Sequence, residues 1–253
     1  MEGPSLYLAA EQLIVFKGKK VRVVAGNTKM GKERLLGKEV LDIFAWGKHL
    51  VFQFDVFALR IHFLLFGTYE ATINGVTVTG DYRRTREPRL LMQFINGDIK
   101  IFNGSVKFIE GSTVKQTYDF SIDIMSKEWS GERVYSLICR SQKGEEIADV
   151  LLNQEIFAGV GNIIKNEVLS NIKINPKERV KNISENEIKN IIQEARRFSF
   201  QFLEWRKEFQ LRAHLKTHRK STCQHCGARL VREKTGKRER WSYYCTICQP
   251  LRK

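Results

Sequence analysis

Gln154-Glu155-Ile156-Phe157-Ala158-Gly159-Val160-Gly161-Asn162-Ile163 is the stretch on which the reading of the fold turns. Two glycines lead into Asn162 and then into a helical pattern. That order gathers backbone amides at a helix N-terminus, where unsatisfied N–H groups and the helix dipole suit an anion such as phosphate. Asn is also a favoured N-cap, so an ordinary cap is the competing reading of the same ten residues. What lies on either side is needed to decide.

Downstream, the pattern stays helical. Ser184-x-x-Glu187 is a capping-box signature. After it, Ile188, Ile191, Ile192, Ala195, Phe198, Phe202, Trp205 and Phe209 keep one helical face, a stripe that reads as core and not as a ligand site. Beyond it stand Cys223-x-x-Cys226 and, after 18 residues, Cys245-x-x-Cys248. Two such knuckles place four thiolates around one metal, a structural zinc spacing, with iron–sulfur or redox pairs as the alternatives. Four protein ligands leave no position for a catalytic water. By itself the element says only that a compact basic ribbon or hairpin ends the sequence. Cys139 is left over and reads as a small buried hydrophobe.

Upstream, the first 110 or so residues are β-rich. Segments at Val21–Ala25, Glu39–Trp46, Leu50–Phe54, Ala58–His62, Leu90–Ile95 and Ile99–Phe102 carry β-branched and aromatic residues, and their number suggests a sandwich or barrel. Asn96-Gly97 reads as a type I′ hairpin turn between the last two. Leu6, Ala9, Ala10, Leu13 and Ile14 predict a helix ahead of the strands, with Pro4 in its first turn.

The 253 residues carry 43 Lys+Arg against 28 Asp+Glu, a formal charge of +15. From Arg206 to Lys253 there are 14 Lys/Arg and three acids, so +11 sits in this last segment and +4 in residues 1–205. A basic block interleaved with aromatics and cysteines attracts a polyanion, nucleic acid first, where a solubilising tail would need neither. No apolar run approaches the ~20 residues that cross a bilayer, and no signal-type segment opens the sequence, so membrane and exported proteins are not expected.

Three further segments make the pattern specific: Glu2-Gly3-Pro4, Gly47-Lys48-His49-Leu50 and the glycine-containing stretch quoted first. In this order, with the terminal cysteine pairs, they resemble the formamidopyrimidine-DNA glycosylase/endonuclease VIII family over essentially the whole length. The resemblance implies an α+β fold: an N-terminal helix and two-layer β-sandwich over 1–112, a linker at 113–127, a helix–two-turns–helix domain over 128–215 and a zinc-finger β-hairpin over 216–253. It implies excision of damaged bases from double-stranded DNA by base flipping. The nucleophile would be an N-terminal amine that forms a Schiff base and permits strand cleavage. One structural Zn2+ would sit on Cys223, Cys226, Cys245 and Cys248, and a monomer in a bacterial cytoplasm, near the nucleoid, is expected.

Carried over residue by residue, the resemblance puts Glu2 as general acid/base near the sugar. It puts Lys48 on a phosphate or on the opening sugar, where a plain hairpin lysine competes. Asn162, with the amides of Gly159 and Gly161, would clamp phosphate beside the lesion, and Arg240 would grip phosphate from the zinc element. Leu64, Leu65 and Phe66 would fill the hole left by the flipped base, with core packing as the alternative for Phe63 and one leucine. Only Gln210–Thr222 separate the long helix from Cys223, which leaves little room for a lesion-capping loop and favours oxidised pyrimidines or abasic sites. The departure is Met1, which stands where the family carries an exposed proline. A primary amine forms an imine that is cationic only when protonated, whereas a proline iminium is always cationic, so reduced or absent lyase chemistry is expected. A non-catalytic binder of damaged DNA, or an RNA-bound zinc ribbon, are the competing functions.

Overall fold

The computed structural model describes residues 1–80, 87–141 and 143–252, the side chains of Leu65 and Ser141 excepted. It forms two compact units: Met1 with Ser5–Asp119, and Glu2–Pro4 with Phe120–Lys253.

Helix α1 (Gly3–Leu13) has Pro4 in its first turn, where the missing N–H costs nothing. Leu6, Ala9, Ala10 and Leu13 are buried as its periodicity predicts, but Ile14 opens a 3-10 turn and is 42% exposed. Among the described residues seven strands follow: β1 (Val23–Ala25), β2 (Asp42–Trp46), β3 (His49–Gln53), β4 (Phe57–Ile73), β5 (Val76–Thr79), β6 (Leu90–Phe94) and β7 (Gly97–Glu110). They make one antiparallel sheet in the order β1-β6-β7-β4-β3-β2, with β5 on β4. The first half of β4 pairs with β3 and the end of β7. Its second half pairs with β5 and the start of β7, and the register shifts between Phe63 and Thr68. Each long strand therefore serves both layers of the sandwich. Leu50, Phe52, Leu59 and Ile61 from one half share a core with Ala71, Leu90, Met92 and Ile101 from the other and with Leu6 and Leu13 of α1.

The hairpin chemistry differs from the expectation in an instructive way. Positive φ at two consecutive positions, which a type I′ turn requires, occurs at Asn74-Gly75 (48° and 84°), joining Ile73 to Val76. At the predicted Asn96-Gly97 the loop is Ile95–Asn96, because Gly97 already pairs with Phe94. Gly97, at φ 151°, is required for a different reason: a Cβ there would run into the Thr72 carbonyl.

In the second unit α2 (Gly131–Ser141), α3 (Ile147–Leu152), α4 (Asn162–Asn171), α5 (Glu185–Lys207) and the short α6 (Leu211–His214) precede a two-stranded hairpin, β8 (Val231–Thr235) and β9 (Arg240–Tyr244). The capping box forms: Ser184 Oγ accepts from the Glu187 N–H, and the Glu187 carboxylate accepts the Ser184 N–H at 2.9 Å. Ile188 to Phe202 bury the expected face of α5. Phe209 does not join it, because α5 ends at Lys207 and Phe209, at φ 58°, is 76% exposed. Trp205 stacks instead on His214, ring centroids 4.7 Å apart. Cys139 is half-buried in α2.

The Gly97 constraint is testable by urea unfolding. Gly97→Ala should cost about 3 kcal/mol or more, since backbone must move. Val76→Thr, at an exposed position beside the other turn, should stay within about 0.5 kcal/mol.

Candidate functional site

Gly161, in extended conformation (φ −120°, ψ −165°), is the N-cap of α4 and has no side chain with which to close it. Asn162 is thus the first helical residue and not the cap. The closing group comes from far away in sequence: Glu2 Oε1 accepts the Ile163 N–H at 2.7 Å and Glu2 Oε2 the Ile164 N–H at 3.2 Å. A carboxylate there is favoured by the positive end of the helix dipole. The glycines permit this approach. A Cβ on Gly161 would strike the Glu2 carboxylate, and one on Gly3 would lie 2.8 Å from Gly159 Cα. The Gly3 N–H donates to the Gly159 carbonyl at 2.8 Å. Gln154 braces the loop, its Oε1 accepting the Gly159 N–H and its Nε2 donating to the Val160 carbonyl, both at 3.1 Å. The Gly159 amide is therefore used inside the loop.

Asn162, Lys165 and Asn166 lie on one face of α4, at i, i+3 and i+4, and meet a single acceptor, the Trp241 carbonyl of β9. Their nitrogens stand 2.8, 3.3 and 3.4 Å from it. Lys165 Nζ also donates to Ser242 Oγ at 2.7 Å. Arg240, the residue before Trp241, is exposed. The two predicted phosphate ligands, Asn162 and Arg240, are thereby brought within one residue of a shared hydrogen bond. The next α4 residue, Glu167, is buried and accepts the N–H groups of Lys216, Thr217 and His218 at 2.7–2.9 Å. The hairpin's far turn is caught as well: Gly236 N–H donates to Glu146, and Lys237 and Arg238 N–H to Asp149.

The four predicted cysteines converge, their sulfurs all within 4.8 Å of one another. Cys223 and Cys248 Sγ stand 3.9 Å apart, and Cys226 and Cys245 Sγ 3.5 Å. A tetrahedral site with metal–sulfur bonds of about 2.3 Å needs edges of roughly 3.8 Å, so the set fits a metal ion.

In the first unit Lys48 lies in the Gly47-Lys48 turn between β2 and β3. Met1 packs partly buried against the sandwich core. His62 senses both: its imidazole is pushed below the usual histidine range by burial first, then by the N-terminal ammonium, Lys48 and Arg60. Neighbouring His49, ring centroid 5.4 Å away, is pushed down to about 4, mainly by burial. Both histidines lie in segments quoted from the sequence, but neither is assigned a role there, because a single histidine on a strand carries no pattern. Where β4 and β7 lose register, Leu64 is 52% and Phe66 64% exposed, whereas Phe63 is core. The side chain of Leu65 lies outside the described residues.

The second unit carries its own acid-sensitive contact. Asn166 Nδ2 donates to His218 Nδ1 at 2.9 Å, so that nitrogen must stay unprotonated. Burial, then Arg219 and Lys165, push His218 down to about 4. The unfolded chain takes up this proton near pH ~6.5 and the folded chain only near 4. The stabilisation is complete above about 6.5 and is lost as pH falls toward 4. Thermal midpoints should therefore drop over that window. His218→Gln, whose carbonyl accepts from Asn166 at every pH, should flatten part of the drop and leave the His49 share.

Comparison with known proteins agrees with this architecture. A family profile, the formamidopyrimidine-DNA glycosylase H2TH domain, matches residues 123–204. The chain is 32% identical over 255 residues to human Endonuclease 8-like 3, covering 98% of this chain and 41% of the human protein. It is 36% identical over 152 residues to Endonuclease 8-like L720 of Acanthamoeba polyphaga mimivirus, 54% of each. The chain thus spans about two fifths to one half of these relatives. Lactococcus lactis formamidopyrimidine-DNA glycosylase, solved non-covalently bound to DNA containing an abasic site, superposes with a TM-score of 0.81 at 22% identity, over 99% of this chain and 100% of that one. The expected bacterial, nucleoid-associated setting is corrected by these matches, since bovine and mouse proteins also named Endonuclease 8-like 3 stand beside the human and viral ones.

Proposed function

The chain belongs to the formamidopyrimidine-DNA glycosylase/endonuclease VIII family, and from that premise we propose that it is a base-excision-repair DNA glycosylase acting on duplex DNA that carries an oxidised base, pyrimidines favoured, or an abasic site. The observation that carries this reading is the anchoring of Glu2. Its carboxylate is held at two points on the start of α4, so it is a fixed group and not a solvated terminal acid. A fixed carboxylate beside a reacting sugar can move a proton to and from the ring oxygen, which is worth 10²–10⁴ in rate.

In this reading the flipped nucleotide presents C1′ to the amine at Met1. The C1′–N bond forms as the glycosidic bond breaks and the base departs with a proton; cleavage of C1′–O4′, with a proton delivered to O4′, gives the protonated imine, and loss of a C2′ proton then expels the 3′ phosphate. Lys48 contacts the phosphate or the opening sugar, and the electrostatics at His62, which feels both Lys48 and the amine, support a shared location. Asn162 and Arg240 hold the backbone. Leu64 and Phe66, two large apolar side chains exposed at a strand irregularity, suit a wedge that replaces lost stacking. Zinc is the ion proposed for the four cysteines, where it holds the hairpin's shape and takes no part in the chemistry.

One observation favours a second reading. The primary amine at Met1 makes a poorer Schiff base than a proline, so the same scaffold would serve as a non-catalytic binder of damaged DNA.

Labelled duplexes bearing dihydrouracil, 8-oxoguanine or an abasic site separate the two. Base release or nicking, strongest on the pyrimidine lesion, supports the enzyme, and lesion-selective binding without product supports the binder. Glu2→Gln should lower base release at least a hundredfold while abasic-duplex binding persists. Borohydride should trap a covalent adduct at Met1 in low yield, and a full-yield adduct would remove the case for impaired lyase chemistry.

A further inference from the structure

Lys165 is buried to 0% exposure, and the reaction described above gives it no task. Its partners are neutral: Ser242 Oγ at 2.7 Å and the Trp241 carbonyl at 3.3 Å. Ser242, also 0% exposed, shares a further hydrogen bond of 2.6 Å with Thr235 Oγ1 on the opposite strand. A buried ammonium with neutral partners is costly, and a methionine of similar length would avoid the cost. Burial, then Arg240, push its amine down to about 8, and Asp149 and Glu2 offset this only partly.

What Lys165 touches suggests what it is for. Arg240 and Ser242 are two apart on β9 and point to the same side of the hairpin. Fixing Ser242 and the intervening carbonyl therefore fixes the strand segment from which Arg240 projects. A second cation beneath it also keeps the guanidinium from folding back onto α4 and leaves it toward solvent, where an anion can be met.

We propose that Lys165 is a positioning residue of the DNA grip: by tying Trp241 and Ser242 to the first turn of α4, it makes Arg240 and Asn162 act on the DNA backbone as one unit. This rests on the reading of Arg240 and Asn162 as DNA contacts.

The test uses the full chain, with metal content checked, and a duplex carrying a tetrahydrofuran abasic analogue, titrated by fluorescence anisotropy across a salt series. Arg240→Ala should weaken binding about tenfold and lower the slope of log K against log salt by about one. Lys165→Met should reproduce both effects while its thermal midpoint holds or rises, because a buried charge has gone. The double variant should bind no more weakly than Arg240→Ala alone, and Lys165→Gln, which keeps a donor, should recover part of the loss. Wild-type binding by Lys165→Met overturns the proposal. So do losses that multiply in the double variant, and so does a fall in midpoint that tracks lost affinity in both Lys165 variants. If Arg240→Ala leaves binding unchanged, it is the underlying DNA-contact reading that fails.

Discussion

The amide protons of Ile163 and Ile164 are both given to the carboxylate of Glu2, and much of the second unit is arranged so that this can happen. A helix leaves its first N–H groups without internal partners, and here the partner comes from 161 residues away in the sequence. The approach demands residues without side chains on both segments, Gly3 against Gly159 and Gly161 against Glu2 itself. Gly161 is thus explained by the packing of one chain segment on another, and Gly159 by its left-handed backbone at φ 101°. They leave Asn162 one residue past the N-cap, free of the capping role that its residue type suggests.

The same helix sets the charge geography. The +11 excess after residue 205 is not spread over a loose tail, because α4 holds the segment by its backbone. Glu167 collects three consecutive N–H groups at 216–218, and the Trp241 carbonyl collects three α4 side chains. Glu146 and Asp149 hold the turn at 236–238. Glu146, Asp149 and Glu167 are spent on backbone amides, and although Lys207, Lys234, Lys237 and Arg252 pair with acids, the segment keeps its net positive field for an anionic partner.

Features encoded within a short window were legible from the residues alone. The capping box at Ser184 and Glu187, the buried face of α5, the paired cysteines and the α1 stripe each follow from spacing. Features that depend on what a residue meets across the fold were not. Asn96-Gly97 and Asn74-Gly75 are the same dipeptide, yet only the second adopts the doubly left-handed turn; at the first the glycine admits the Thr72 carbonyl. The lengths of β4 and β7 were underestimated, because strand patterning breaks where the register shifts at Phe63–Thr68 and where the exposed apolar residues lie. Glu2 was marked by resemblance, but its amide partners could not be read from a sequence separation of 161 residues.

Lys165, Asn166 and Glu167 show the limit most sharply. Three consecutive polar residues in a helix normally announce a solvent-facing side, yet all three are buried. The signal that could have revealed them is their setting: Ile163, Ile164, Val168 and Leu169 flank them so closely that α4 has no other side to give to water. Their burial has a physical purpose that apolar residues could not serve. Among the described residues the apolar cluster around the cysteines is small: Cys223, Leu230 and Cys245, with Ala228 and Cys248 packed against it. Apolar contact is non-directional and would let so small an element slide or rotate on α4. Hydrogen bonds donated by Asn162, Lys165 and Asn166 to the Trp241 carbonyl and Ser242 Oγ fix its angle and register. Arg240 inherits its direction from this pose, so the placement of this exposed cation of the hairpin is determined largely by polar groups beneath the surface.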